Sequence, residues 1–178
     1  MSFDNLWAGW RSAYVESVSS PDGDLAAEAD LDPGGEASCV FCHIVKSPAP
    51  DDELFILFES DFSIVLMNAY PYATGHLLAM PRRHEQELSG LSAAESGDLW
   101  SVTTMAARAI EAAYKPDGMN IGANLGRAAG AGIPRHLHLH ILPRWIGDTN
   151  FMTSIASIRV MPEALSDSFK KLRASWPR

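Results

Sequence analysis

The chain has 178 residues, 47% of them hydrophobic and 20% charged, with a formal net charge of −8. That length suits one domain with a sizeable core, and the negative balance argues against a general nucleic-acid binder. No stretch approaches membrane-spanning length, and the start, Met1-Ser2-Phe3-Asp4, has no basic region leading into an apolar run, so neither a membrane span nor a signal peptide is expected.

Phe3, Leu6, Trp7, Trp10, Tyr14 and Val18 recur at steps of three and four, the spacing of an amphipathic helix over residues 3–18. Such an aromatic stripe is a packing face, for this domain or for a second subunit. Residues 19–38 are rich in Ser, Pro, Gly and Asp and read as an acidic linker. They hold Asp22, Asp24, Glu28, Asp30, Asp32 and Glu36 without a Lys or Arg, so the rest of the chain carries only −2. Residues 1–38 are thereby set apart from a compact domain over residues 39–178.

That domain opens with the only cysteines, Cys39 and Cys42, two residues apart. Such a pair suits a metal site or a redox couple in a reduced cytoplasm, not a disulfide framework. Leu54–Phe58 and Phe62–Asn68 are apolar segments joined by Glu59-Ser60-Asp61, the pattern of a hairpin. Pro71 and Gly75 mark a connection to a short strand, His76–Met80. Ser92 with Glu95 forms a capping-box signature that opens a helix running to about Lys115. Leu99, Thr103, Ala106, Ile110 and Ala113 supply its buried stripe, and Pro116 with Gly118 ends it. Met119–Leu125 reads as a strand, Gly126–Arg135 as a glycine-rich loop, Ser154–Val160 as a last strand and Pro162–Trp176 as a C-terminal helix. Antiparallel strands, a long helix, then more strands give an α+β class.

The segment that carries chemistry is His136-Leu-His138-Leu-His140-Ile-Leu142. Strict alternation is the period of a half-buried strand, so the three imidazoles share one face and Leu137, Leu139 and Ile141 point into the core. A neutral imidazole is a good nucleophile toward phosphorus, and its neighbours can donate to phosphate oxygens. The same spacing suits a catalytic metal equally well. Ahead of it, residues 122–132 hold four glycines and few bulky side chains, which lets backbone N–H groups approach an anion.

With that loop in place, the chain resembles the histidine triad (HIT) family, named for His-φ-His-φ-His-φ-φ with φ apolar. Residues 136–142 match without exception. Asn68-Ala-Tyr-Pro71, Gly75-His76 and Met80-Pro81-Arg-Arg-His84 resemble the family's earlier block. Residues 143–151, with Leu6-Trp7, Trp10-Arg11 and Tyr14, resemble its dinucleoside polyphosphate phosphorylase and hydrolase branch. The resemblance implies an antiparallel sheet with one long helix and a C-terminal helix, and a homodimer. It implies that His138 attacks the α-phosphorus of a purine nucleotide or dinucleoside polyphosphate and carries a nucleotidyl group. His140 and His76 complete the catalytic set, Asn68 holds the ribose, and Asn124, Gly130 and Gly132 contact the phosphates. Gly132 departs from relatives that carry Ser or Thr there, leaving backbone donors and room for phosphate as acceptor, with Arg127 or Arg144 supplying positive potential. Arg82, Arg83 and Arg135 are further candidates for the distal phosphates.

Zinc-bearing relatives complete a Cys-x-x-Cys site with two histidines at the positions of His84 and His136. The resemblance therefore implies a structural zinc on Cys39, Cys42, His84 and His136, with His43 left as a surface residue. Two other readings stand beside this one. In a metal-dependent hydrolase the triad histidines would be ligands, but no Asp or Glu lies between Asp117 and Asp148 to serve as base. In a non-catalytic nucleotide-binding protein the fold would persist without turnover.

Overall fold

Five short strands form one antiparallel sheet in a computed structural model that describes residues 35–148 and 163–177. They are β1 (Ile56–Glu59), β2 (Ser63–Met67), β3 (Leu77–Pro81), β4 (Gly118–Gly122) and β5 (Leu139–Arg144), in the spatial order β1-β2-β3-β5-β4. The hairpin expected around Glu59-Ser60-Asp61 is β1–β2, with a bulge between Ile56 and Phe58. The expected helix over 3–18, most of the acidic linker and the expected strand Ser154–Val160 lie outside the described residues.

Helices cover both faces of the sheet, and residue parity sorts the side chains between them. Val65, Met67, Leu77, Ala79, Leu139 and Ile141 meet Leu99, Val102, Ala106, Ala109 and Ile110 of the long helix. This helix, α3 (Ala93–Tyr114), has Ser92 as its N-cap. The expected capping box is formed: the Glu95 backbone N–H donates to Ser92 Oγ at 3.2 Å and the Ser92 N–H to Glu95 Oε2 at 2.8 Å. Arg83 reaches the same carboxylate and, together with the Ser92 contacts, holds its pKa down at about 2. The C-terminal helix α4 (Leu165–Ala174) starts later than Pro162 and adds Phe169 and Leu172 to this core.

The other face was not anticipated. Ile64, Leu66, Leu78 and Met80 are buried under Phe41, Cys39 and Cys42, which belong to or adjoin a short helix, α1 (Val40–Lys46). Hence β2 and β3 are buried along their whole length, as their continuous apolar runs suggest in retrospect. Each such large side chain stabilises the fold by about 1.5–3 kcal/mol relative to exposure. A one-turn helix, α2 (Asp51–Leu54), takes Leu54 out of the expected first strand, and Phe55 then turns the chain with φ 55°.

Two strand boundaries move by three residues each. β4 stops at Gly122 rather than Leu125, and β5 begins at Leu139 rather than His136. The reason for the second lies in the partner strand. Pro81 ends β3 without an N–H to donate, and its carbonyl is taken by the His136 side chain. Leu137 instead donates to the Glu85 carbonyl at 2.6 Å. Residues 136–138 are therefore held by side chains and one loop contact, not by the sheet ladder.

Candidate active site

Parity puts His76, His138 and His140 on the α1 side of the sheet, opposite the aliphatic residues between them. Register places Leu78 across from His140 on β3 and Gly122 across from it on β4. The turn into β3 depends on Gly75, whose φ is +77° and where a Cβ would lie 2.8 Å from the Tyr114 ring. The loop 123–135 leaves β4 opposite His140 and re-enters at His136, so both its ends lie at the same end of the sheet. Within it Asn124 donates to the Gly130 carbonyl at 3.4 Å, Gly130 has φ +83°, and Gly132 is exposed.

The triad face is dry. His136, His138 and His140 are 1%, 6% and 9% exposed, so these imidazoles are buried rather than set on a wet strand face. Phe41 accounts for much of this, its ring centroid 5.5 Å from His136 and 5.2 Å from His138. Tyr72 does the same for the other pair, its ring nearly parallel to His140 at 5.7 Å and tilted on His76 at 4.8 Å. Neither aromatic was singled out in the sequence. Phe41 sits between the two cysteines, and Tyr72 follows the proline of the earlier block, so their positions carried the signal.

His138 Nδ1 lies 2.8 Å from the His136 carbonyl oxygen. A carbonyl only accepts, so Nδ1 carries the proton and Nε2 keeps a lone pair. Burial pushes the His138 pKa below its ordinary value, against the bond to His136, which keeps that lone pair available. Among the described residues His76 Nε2 lies 2.9 Å from His140 Nδ1, and the His138 and His140 rings meet edge to face at 5.0 Å. Asn68 turns toward His76, with Nδ2 3.2 Å from its Nδ1.

Burial, with His138 adjacent, lowers His140 to about 4. Its folded-state pKa is thus below the ordinary value of 6.5, and the unfolded chain binds the extra proton. The contribution to stability is complete above pH 6.5 and falls as pH drops toward 4, by roughly 3 kcal/mol in total. Denaturant titrations of wild type and His140→Asn at several pH values check this. The difference in their stabilities should change across that window, and a pH-independent difference would contradict it.

The third histidine belongs to another cluster. His136 donates from Nε2 to the Pro81 carbonyl at 2.9 Å, which leaves Nδ1 as a lone pair. That atom is 3.3 Å from Cys39 Sγ and 3.6 Å from Cys42 Sγ, and His84 Nδ1 is 3.3 Å from Cys42 Sγ. The four donor atoms all lie within 4.8 Å of one another, so Cys39, Cys42, His84 and His136 could hold a metal ion. A tetrahedral zinc would set sulfur and nitrogen about 3.5 Å apart. Burial, with Cys39 beside it, pushes the Cys42 thiol up to about 12, so a bound cation is what would make it a thiolate. The triad therefore divides: His136 goes to the thiols, and His138 and His140 do not join it.

The arginines are mostly committed elsewhere. Arg82 pairs with Glu59 at 3.1 Å, Arg83 with Glu85 and Glu95, and Arg144 with Asp148 at 2.6 Å and with Asn120. Arg144 is thus not the ready anion partner expected from its position. Arg127 begins a single 3-10 turn, Arg127–Ala129, and Arg135 is exposed.

The HIT domain family model matches residues 50–145 of this chain. A protein of Mycobacterium tuberculosis named AP-4-A phosphorylase is 34% identical over 173 residues, 97% of this chain and 84% of that protein. Adenylylsulfatase HINT3 of Arabidopsis thaliana is 32% identical over 75% of this chain and 64% of its own. Among solved structures, a zinc-bound histidine triad family protein from Mycobacterium smegmatis superposes with a TM-score of 0.64 and 31% identity, covering 79% of this chain and 94% of that one.

Proposed function

This chain belongs to the HIT domain family, and from that premise we propose that it splits diadenosine polyphosphates through a nucleotidyl group carried on His138. The observation that carries this reading is the bond from His138 Nδ1–H to the His136 carbonyl at 2.8 Å, which presents Nε2 as an unprotonated nucleophile. The Nε2 lone pair forms the bond to the α-phosphorus, and the bond to the bridging oxygen breaks with both electrons on the departing nucleoside polyphosphate. His140 donates to a phosphoryl oxygen, where charge accumulates, and its burial strengthens that contact. Backbone N–H groups of the loop around Gly130 and Gly132 contribute further donors, with Asn124 fixing the loop, and Asn68 lies beside His76 for the ribose.

Cys39, Cys42, His84 and His136 would hold zinc. Their two sulfurs and two nitrogens are the donor set that zinc prefers, and four protein ligands close the site to substrate. Bound there, zinc supplies structural cross-linking between α1 and the triad segment. The same division of His136 from His138 and His140 weighs against a metallohydrolase built on the triad. The homodimer that the family resemblance implies finds support in β4, the edge of the sheet among the described residues, on which Ile121 is 44% exposed, followed by Leu125 at 48%. Among the described residues no helix is long and apolar enough to cross a membrane.

Phosphate rather than water is the proposed acceptor, because Gly132 places no side chain in the loop facing the triad and the resemblance of residues 143–151 points to the phosphorylase branch. Diadenosine tetraphosphate incubated with inorganic phosphate should give ADP and ATP, faster than without it. Formation of AMP and ATP at one rate with or without phosphate would make the enzyme a hydrolase.

A further inference from the structure

Resting on the assignment of nucleotidyl transfer to His138, we propose that Glu85 is a positioning residue whose carboxylate sets the loop that aims the nucleophile's imidazole. One peptide unit makes the connection. The Leu137 N–H donates to the Glu85 carbonyl at 2.6 Å, and His138 Nδ1–H donates to the His136 carbonyl at 2.8 Å. That backbone N–H and the His136 carbonyl belong to the same planar trans peptide, on which they point in opposite directions. Fixing one therefore fixes the other. The Glu85 backbone decides where the His136 oxygen stands, and that oxygen decides how the His138 ring is turned. The sheet ladder does not do this, because β5 begins only at Leu139.

What holds the Glu85 carbonyl in place is its own side chain. Oε1 accepts from the backbone N–H groups of Gln86 and Glu87, at 2.9 and 3.0 Å, and Oε2 from Arg83 Nη1 at 2.8 Å. Only 17% of the side chain is exposed, and charge-assisted bonds in such shelter are strong. Arg83 also donates to the Gly90 carbonyl at 2.6 Å and to Glu95, the carboxylate of the α3 capping box. The loop is thereby folded onto itself and tied to the start of the long helix. Gly90 completes the enclosure. A Cβ there would run into the Glu85 carboxyl group, while the backbone at Gly90 stays outside the left-handed region and suits alanine. Gly90→Ala therefore evicts the carboxylate without altering Glu85 itself.

Backbone amide hydrogen exchange in the full chain tests the link without reference to turnover. In the wild type the Leu137 amide should be protected, although it lies outside the sheet ladder. Nitrogen NMR with 15N-histidine should show His138 with a protonated Nδ1 and a lone-pair Nε2. In Glu85→Ala and in Gly90→Ala, Leu137 should exchange faster and the His138 signals should move toward a tautomer mixture. With diadenosine tetraphosphate, kcat of each variant should fall about 10²-fold and KM change far less, as for a misplaced reacting group. The double variant should lose no more than Glu85→Ala alone, because the Cβ at position 90 then meets no carboxylate. Circular dichroism and zinc content of the variants report folding and the neighbouring ligand His84. A freely exchanging Leu137 amide in the wild type, or unchanged exchange and kcat in both variants, would overturn the proposal. So would losses that add in the double variant, or that supplied zinc reverses, since Glu85 would then serve His84 instead. The expected exchange pattern in a chain that turns over no dinucleotide would support the positioning and count against the activity instead.

Discussion

His138→Ala should lower turnover of diadenosine tetraphosphate by ~10⁴-fold or more, while nucleotide binding and folding persist. The size of the effect follows from the role. Without the imidazole no covalent step is available, and the remaining donors act only on bound substrate. His138 contributes little to the sheet, because residues 136–138 precede β5 and are held by the Glu85 and Pro81 carbonyls. Steady-state kinetics and equilibrium titration with a nucleotide check the two halves separately. Turnover within tenfold of wild type would remove His138 from the nucleophile's place.

The metal centre should have the second large effect, on stability more than on chemistry. One zinc per chain is expected on Cys39, Cys42, His84 and His136, as the mutual approach of their donor atoms within 4.8 Å suggests. A site loaded to a thousand times its dissociation constant stabilises the fold by about 4 kcal/mol, or about 10 °C in Tm for a chain of this size. Chelation, or Cys42→Ser, should produce a loss of that order. The physical reason is that α1 has only seven residues and no side-chain cap, so the cross-link adds much to its hold on the sheet. Metal analysis and thermal unfolding with and without chelator check this. Zinc found on His138 and His140 instead would reverse the division of labour between the two sites.

The parts of this molecule legible in its sequence are those with local causes. The capping box is written in Ser92 and Glu95, the helix stripe in Leu99, Thr103, Ala106 and Ile110, and the β1–β2 hairpin in a polar triplet between apolar runs. The triad histidines announce themselves by alternation, and the approach of Cys39 and Cys42 to His84 and His136 follows from the family resemblance and is met in the fold. What escaped has non-local causes. No periodicity marks α1, whose helix is stabilised by Phe41 and Cys42 packing on Ile64, Leu66, Leu78 and Met80. The burial of the histidine face follows from α1 and Tyr72, neither visible from alternation alone. Arg144 looked like an anion partner by proximity in sequence, but Asp148, four residues on, takes its guanidinium at 2.6 Å. The start of β5 at Leu139 depends on Pro81, in a strand more than fifty residues earlier.

The covalent nucleotidyl-histidine is the centre of this account, and it can be trapped. A phosphoramidate is labile in acid and persists in base, so the full chain mixed briefly with diadenosine tetraphosphate, without phosphate, should be quenched in alkali. Intact-mass analysis followed by peptide mapping then reads the outcome. The account predicts a chain heavier by one AMP, with the group on His138 and absent from His138→Ala. Turnover at the wild-type rate with no adduct on any histidine, or an adduct on a residue other than His138, would contradict it.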